Sequence, residues 1–321
     1  MRKLSEEELK NILKDHETWI RTENYGKRAC LSHVDLSGVD LANANLSGAI
    51  LSDANLTEAN LTGVNLYDAD LTEANLTKAN LNHADLSEAY LIKAKLVHAD
   101  LNRAKLFNTN LQYANLYKTD LNNANLECAN LCHADLYRAY LYEANLNHAD
   151  LMYTNLSKAN LAYSNLAHAN LNYTYLMHTN LSNADLNHAN LRCADLYSAY
   201  LYEAKLVHAN LMHASLLSAN LDYANLTDAN LSEANLIYAN LTHAVLPKQI
   251  IQIGPIGKRK SYTIINIDDD IITCGCWKGS LEEFKHRIDI EYPDNGLYRS
   301  QYLGVISLIE SIKMIDTQCK N

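Results

Sequence analysis

The sequence predicts an all-β solenoid with an N-terminal α-helix and a small C-terminal α/β module, and three observations carry that prediction. Leucine occupies every fifth position from Leu31 to Leu246, 44 times without an insertion or deletion. Two residues before each leucine 35 of 44 sites are Ala, and one residue before it 33 of 44 are Asp or Asn. Outside these limits the period vanishes: residues 1–28 are charged, and from Pro247 prolines, glycines and isoleucines appear.

The first element expected is a helix over residues 5–21. Ser5 followed by Glu8 reads as a capping box. Leu9, Ile12, Leu13, His16 and Trp19–Ile20 follow helical spacing, and Gly26 reads as a stop. A solenoid needs its open end covered, so residues 1–28 are expected to cap the first coil with Trp19 as anchor. Recruitment of a partner is the alternative use of such a helix.

The array, residues 29–246, has a period of five, which is neither the 3.6 of a helix nor the 2 of a strand. With the positions written Ala, Asn, Leu, x, x, Ala and Leu share one face of an extended chain. The pattern is in, out, in, out, out, so the chain must bend once every five residues. Short strands bent at regular corners make a coil lined by one large and one small residue per side, which fills a narrow interior. Successive coils would pair at about 4.8 Å and stack identical residues into ladders. Periodicity alone permits three, four or five sides. His148, His168, His188 and His208 fall 20 apart in one column, which favours 20 residues per coil.

This A-(D/N)-L-x-x pattern resembles the pentapeptide-repeat family over residues 29–246. The resemblance implies a right-handed β-helix of quadrilateral section, four repeats to a coil. The 44 repeats then make 11 coils and a rod roughly 50 Å long.

After the array, residues 247–321 read as a small α/β module. QIIQI (249–253), SYTIINI (261–267) and IITCGCW (271–277) are expected strands, with GPIGKRK (254–260) and DDD (268–270) as turns. Ser280 and Glu283 form a second capping box before LEEFKHRIDI, and a last helix is expected over about 300–316.

Composition limits the function classes. Nothing in the array pairs a nucleophile with a base, cradles a phosphate or matches standard metal-ligand spacing. The expectation is therefore not an enzyme, with no cofactor. The charged start MRKLSEEELK lacks an apolar secretory segment, no apolar run could span a bilayer, and seven cysteines show no framework spacing. A cytoplasmic protein with reduced thiols and no membrane contact is expected. The array holds 21 acidic and 10 basic side chains against an overall charge of −10, so direct nucleic-acid binding is not expected.

Three sets of candidate site residues remain. The column His148, His168, His188, His208 is a candidate metal site, with a neutral surface ladder as the alternative. Tyr140 and Tyr142 share a face with Tyr200 and Tyr202 three coils on, and Tyr117, Tyr137 and Tyr197 lie on an adjacent face. Together they form a candidate surface for a protein partner. Lys258, Arg259 and Lys260 concentrate positive charge in one turn that could grip an anion. The expected function is a structural or interaction scaffold, a rigid rod presenting a C-terminal recognition module. Some members of the resembled family protect DNA gyrase by imitating duplex DNA, so regulation of a topoisomerase is the second reading; metal or small-ligand binding at the histidine column or the C-terminal module is the third. Duplex of about 50 Å carries roughly 30 charges, about three times the net −11 of the array.

Overall fold

The computed structural model describes residues 1–22, 25–248, 250–257, 261–294 and 296–319. Parallel bridges run from each residue of the Asn/Asp column to the residue 20 later, from Cys30–Ile50 to Asn225–Val245. A 20-residue step divided by a five-residue repeat gives four sides to each coil.

One repeat shows why the period is five. The Leu71 N–H donates to the Tyr90 carbonyl of the next coil at 2.7 Å, and the Glu73 N–H to Ile92 at 2.8 Å. The Asn75 N–H donates back to Ala54 at 2.9 Å. The Ala74 N–H closes the corner on the Leu71 carbonyl at 3.0 Å, and the Thr72 N–H donates to the Asp70 side chain at 2.9 Å. All five backbone donors are thus used, three of them between coils, as burial of a coiled backbone demands. The Asn/Asp preference before leucine follows from the fifth bond: a short side-chain oxygen there closes an Asx turn. Where the residue is Asn, its amide can also reach the coil before, as from Asn165 Nδ2 to Asn145 Oδ1 at 3.1 Å.

The corner requires a positive φ at the fifth residue of each repeat, such as Asp53 at 56°, Lys158 at 60° and His208 at 57°. Gly38, Gly48 and Gly63 sit at the same corner. β-branched residues are strongly disfavoured at positive φ. No Val, Ile or Thr occupies that position in the array, although the position before it holds β-branched residues such as Thr72, Ile92 and Val97.

Leucines and alanines fill the interior, nearly all of them fully buried. Where Thr replaces Ala it keeps a partner: Thr154 Oγ1 donates to the Leu131 carbonyl at 2.7 Å.

The N-terminal cap forms with one addition to the expectation. Strand β1 (Arg2–Lys3) pairs in parallel with β2 (Val34–Asp35) and extends the ladder outward. Helix α1 (Glu6–Thr22) follows. Its capping box is present: the Glu8 N–H donates to Ser5 Oγ at 3.2 Å, and the Ser5 N–H donates to Glu8 Oε2 at 2.8 Å. Leu9, Ile12 and Leu13 pack on the array core. His16, not Trp19, is the fully buried residue of the helix. Its Nδ1 accepts from the Ala29 N–H at 3.1 Å, and Trp19 stacks on it at 5.4 Å. Gly26 has φ +85°, and a Cβ there would lie 2.3 Å from the Asp15 carbonyl oxygen, so no other residue fits.

At the other end four strands form an antiparallel sheet in chain order: β3 (Ile250–Ile256), β4 (Ser261–Asn266), β5 (Ile271–Cys274) and β6 (Trp277–Gly279). The expected strand 271–277 is a hairpin instead, because Gly275 turns the chain at φ 61°. Helix α2 (Leu281–Glu291) starts from the Ser280–Glu283 capping box, and α3 (Leu297–Cys319) packs with it. Ile265, Ile272, Leu281, Phe284, Ile288, Tyr302, Val305, Ile306 and Ile309 make a second core. Ile250 and Ile264 belong to the array core instead, and the Glu233 N–H donates to the Asp269 carboxylate at 2.7 Å, so the sheet sits on the last coils.

Candidate functional site

The structure brings the histidine column together. Ring centroids of His148, His168, His188 and His208 are 4.8, 4.9 and 4.9 Å apart, with interplanar angles of 9°, 2° and 24°. Each ring projects from a corner residue, so the coil step sets the stacking distance. Parallel rings present their nitrogens side by side instead of converging on one point as a tetrahedral zinc site requires. Among the described residues no group of three or more His, Cys, Asp or Glu is arranged to hold a metal ion.

A second ladder lies outside the sequence expectations. Tyr113, His133, Tyr153 and Tyr173 stack at 4.9, 4.9 and 5.1 Å on another corner. A search for ring residues 20 apart would have found it, since it obeys the rule that exposes the histidines.

The tyrosine surface divides into two equal clusters. Tyr140 and Tyr200, 50% and 53% exposed, stand in the column where the corner favours Asn or Asp. Each therefore gives up the side chain that normally closes the turn. At the first cluster the Tyr142 N–H is served instead by Asn122 Oδ1 of the preceding coil at 2.8 Å. Tyr163 meets Tyr142 edge to face at 5.6 Å, and Tyr223 meets Tyr202 at 5.8 Å. Hydrogen bonds to Glu143 and Glu203 raise the Tyr142 and Tyr202 phenols above their ordinary pKa. Ala162 is buried between the clusters, which lie about 14 Å apart by coil step.

Tyr117 and Tyr137 stack at 6.0 Å on the adjacent face. Lys118 lies 5.3 Å from the Tyr117 ring, and Arg138 and Lys158 lie 5.3 and 5.7 Å from Tyr137. A hydrogen bond with Lys158 lowers the Tyr137 phenol pKa. Other lysines of the array reach an acid one coil back, as Lys78 does to Glu58 at 2.9 Å and Lys93 to Glu73 at 3.1 Å. The three cations on the tyrosine face lean on rings. Tyr197 meets His178 edge to face at 5.3 Å, further along the same side. The expected anion grip of Lys258, Arg259 and Lys260 lies outside the described residues.

No helix among the described residues is long and apolar enough to cross a membrane. A family model described as pentapeptide repeats matches eight copies, spanning 29–68, 69–106, 84–123, 99–138, 114–152, 139–176, 179–216 and 209–246. Among solved structures, the chain is 37% identical to HetL, a pentapeptide repeat protein involved in heterocyst differentiation regulation from the cyanobacterium Nostoc sp. strain PCC 7120. That match covers 71% of this chain and 95% of HetL, with a TM-score of 0.31. Rfr23 from the cyanobacterium Cyanothece 51142 is 41% identical over 30% of this chain and 63% of its own, with a TM-score of 0.19. QnrB1, a plasmid-mediated fluoroquinolone resistance protein, is 15% identical over 62% of this chain and 90% of its own, with a TM-score of 0.31. No curated protein matches.

Proposed function

The chain belongs to the pentapeptide-repeat family, and from that premise we propose that it is a non-enzymatic interaction scaffold of the cytoplasm. In this reading the array, residues 29–246, is a right-handed square rod of 11 coils, as the family implies. Residues 1–28 close one end, and residues 247–321 form the recognition module at the other. The observation that carries the reading is the pair of tyrosine clusters. Tyr140 and Tyr200 replace turn-closing residues and expose their rings, so they serve something other than the coil. Aromatic residues clustered on a surface favour protein partners.

The test is capture of partners from the host's own lysate with three full-length forms: the native protein, Tyr140→Ser/Tyr200→Ser, and Phe284→Ala. A partner lost with the tyrosines assigns the rod face, and one lost with Phe284 assigns the module. A partner retained equally by all three forms would sink both assignments. Regulation of a topoisomerase is the second reading: the array is acidic, 21 acidic against 10 basic side chains, though at about a third of the charge of duplex DNA. A DNA supercoiling assay with purified gyrase decides it, since a mimic changes the supercoiling rate at stoichiometric protein.

A further inference from the structure

A cavity of about 430 Å³ opens between the β5–β6 turn, α2 and α3. Its floor is aromatic: buried Phe284 and Tyr302 meet edge to face at 5.9 Å. Trp277 forms one wall 5.3 Å from Phe284, and Tyr292 another, 5.4 Å from Tyr302. The rim is charged and exposed. Arg287 and Glu291, one turn apart on α2, form an ion pair there, and the Arg287 guanidinium lies 5.8 Å from the Trp277 ring centroid. Small-molecule sites fall in this size range, roughly 300–1,000 Å³, and combine aromatic side chains with polar groups that fix orientation.

We propose that this cavity binds a free α-amino acid with an aromatic or large aliphatic side chain. The charges on the rim select the ligand class. An exposed ion pair one helical turn apart contributes little to stability, so it opens readily. A zwitterion separates it without leaving any charge alone. The ligand carboxylate accepts two parallel bonds from the Arg287 guanidinium, and its ammonium donates to the Glu291 carboxylate. A lone cation would strip Arg287 of its partner, and a lone anion would do the same to Glu291. The side chain of the ligand then enters between Trp277, Phe284 and Tyr302, where aromatic rings gain from offset and edge-on contacts. The inference rests on reading residues 247–321 as the recognition module, and it adds what that module recognises.

Isothermal titration of the full-length chain tests it, with L-phenylalanine, 2-phenylethylamine and 3-phenylpropionate as probes. The expected result is saturable one-to-one binding of L-phenylalanine, with the amine and the acid each weaker by about tenfold or more. Arg287→Ala is expected to bring L-phenylalanine and the amine to the same affinity, because the amine then strips no partner from Arg287. Glu291→Gln is expected to do the same with respect to the acid. Both substitutions lie on the exposed face of α2, and an unchanged circular dichroism spectrum establishes folding. In Trp19→Phe protein, quenching by L-phenylalanine then reports on Trp277 alone. Absence of saturable heat up to about 20 mM L-phenylalanine, equal binding of all three probes, or indifference of both variants overturns the proposal. Lysate capture of a partner without such heat removes the amino-acid site and leaves the scaffold reading standing. Heat without capture does the reverse.

Discussion

Leu156 and Phe284 are both buried, yet they are held by different kinds of order. Leu156 sits in a coil whose neighbours above and below repeat its own surroundings, with leucines at the same column of every coil. Phe284 sits in a core that occurs once, assembled from two strands and two helices between residues 265 and 309. The array is stabilised by addition of like units, the module by a single closure. A defect in the first is therefore shared with adjacent coils, whereas a defect in the second is confined to the module and the last coils that Ile250 and Ile264 join.

Cavity mutations give the largest expected effect and divide the two regions. Leu156→Ala and Phe284→Ala should each cost about 3–5 kcal/mol. Hydrogen exchange should locate the damage differently: around residues 136–176 for the first, and within 250–319 for the second. Equal loosening of both regions in both variants would show that the chain unfolds as one unit.

A thiol rate sharpens the comparison within the array. Burial and the Asp150 carboxylate beside it push the Cys132 pKa up to about 11 from 9.0. At neutral pH its thiolate fraction falls about a hundredfold below an ordinary cysteine. Maleimide should label exposed Cys30 and Cys128 first, and mass spectrometry of partially labelled protein should find Cys132 last. Labelling of Cys132 at the rate of Cys128 would mean that coil opens.

The cap is expected to respond to pH. Burial, with the nearby Arg28 charge, lowers the His16 pKa below 6.5. The unfolded chain then binds the proton first, so the stability that neutral His16 contributes is full above pH 6.5. It falls as pH descends from there through the lower folded value. Amide exchange over residues 6–35 should accelerate as pH drops below 6.5 relative to mid-array amides, and His16→Leu should flatten that response.

The smallest effect concerns a corner. Ser218 has φ 59°, which costs a non-glycine residue about 1–2 kcal/mol, whereas glycine gives up about 0.5–1 kcal/mol in entropy. Ser218→Gly should leave the array more stable by a few tenths to about 1 kcal/mol. A fall in the thermal midpoint would show that the serine side chain supports the corner.

The period of five was enough to read the bent extended repeat, its Leu/Ala core and the Asn/Asp ladder, because each repeat states the same local rule 44 times. The positive φ of the fifth residue was also written there, in the absence of Val, Ile and Thr from that column. The histidine stack was legible because a 20-residue step becomes a vertical neighbour, and the Tyr113–Tyr173 ladder was legible by the same rule.

Other features depend on distances that no repeat encodes. His16 follows helical spacing like its neighbours, but only the packing of α1 on the first coil selects it over Trp19 for full burial. Three coil sections were compatible with the period, and hydrogen bonding between residues 20 apart selected four sides. The meeting of Trp277, Phe284, Arg287 and Tyr302 around one cavity follows from the docking of α2 and α3 on the sheet. Periodic sequence determines periodic structure because every unit meets a copy of itself. Where a segment meets something unlike itself, the tertiary packing alone decides which side chains converge.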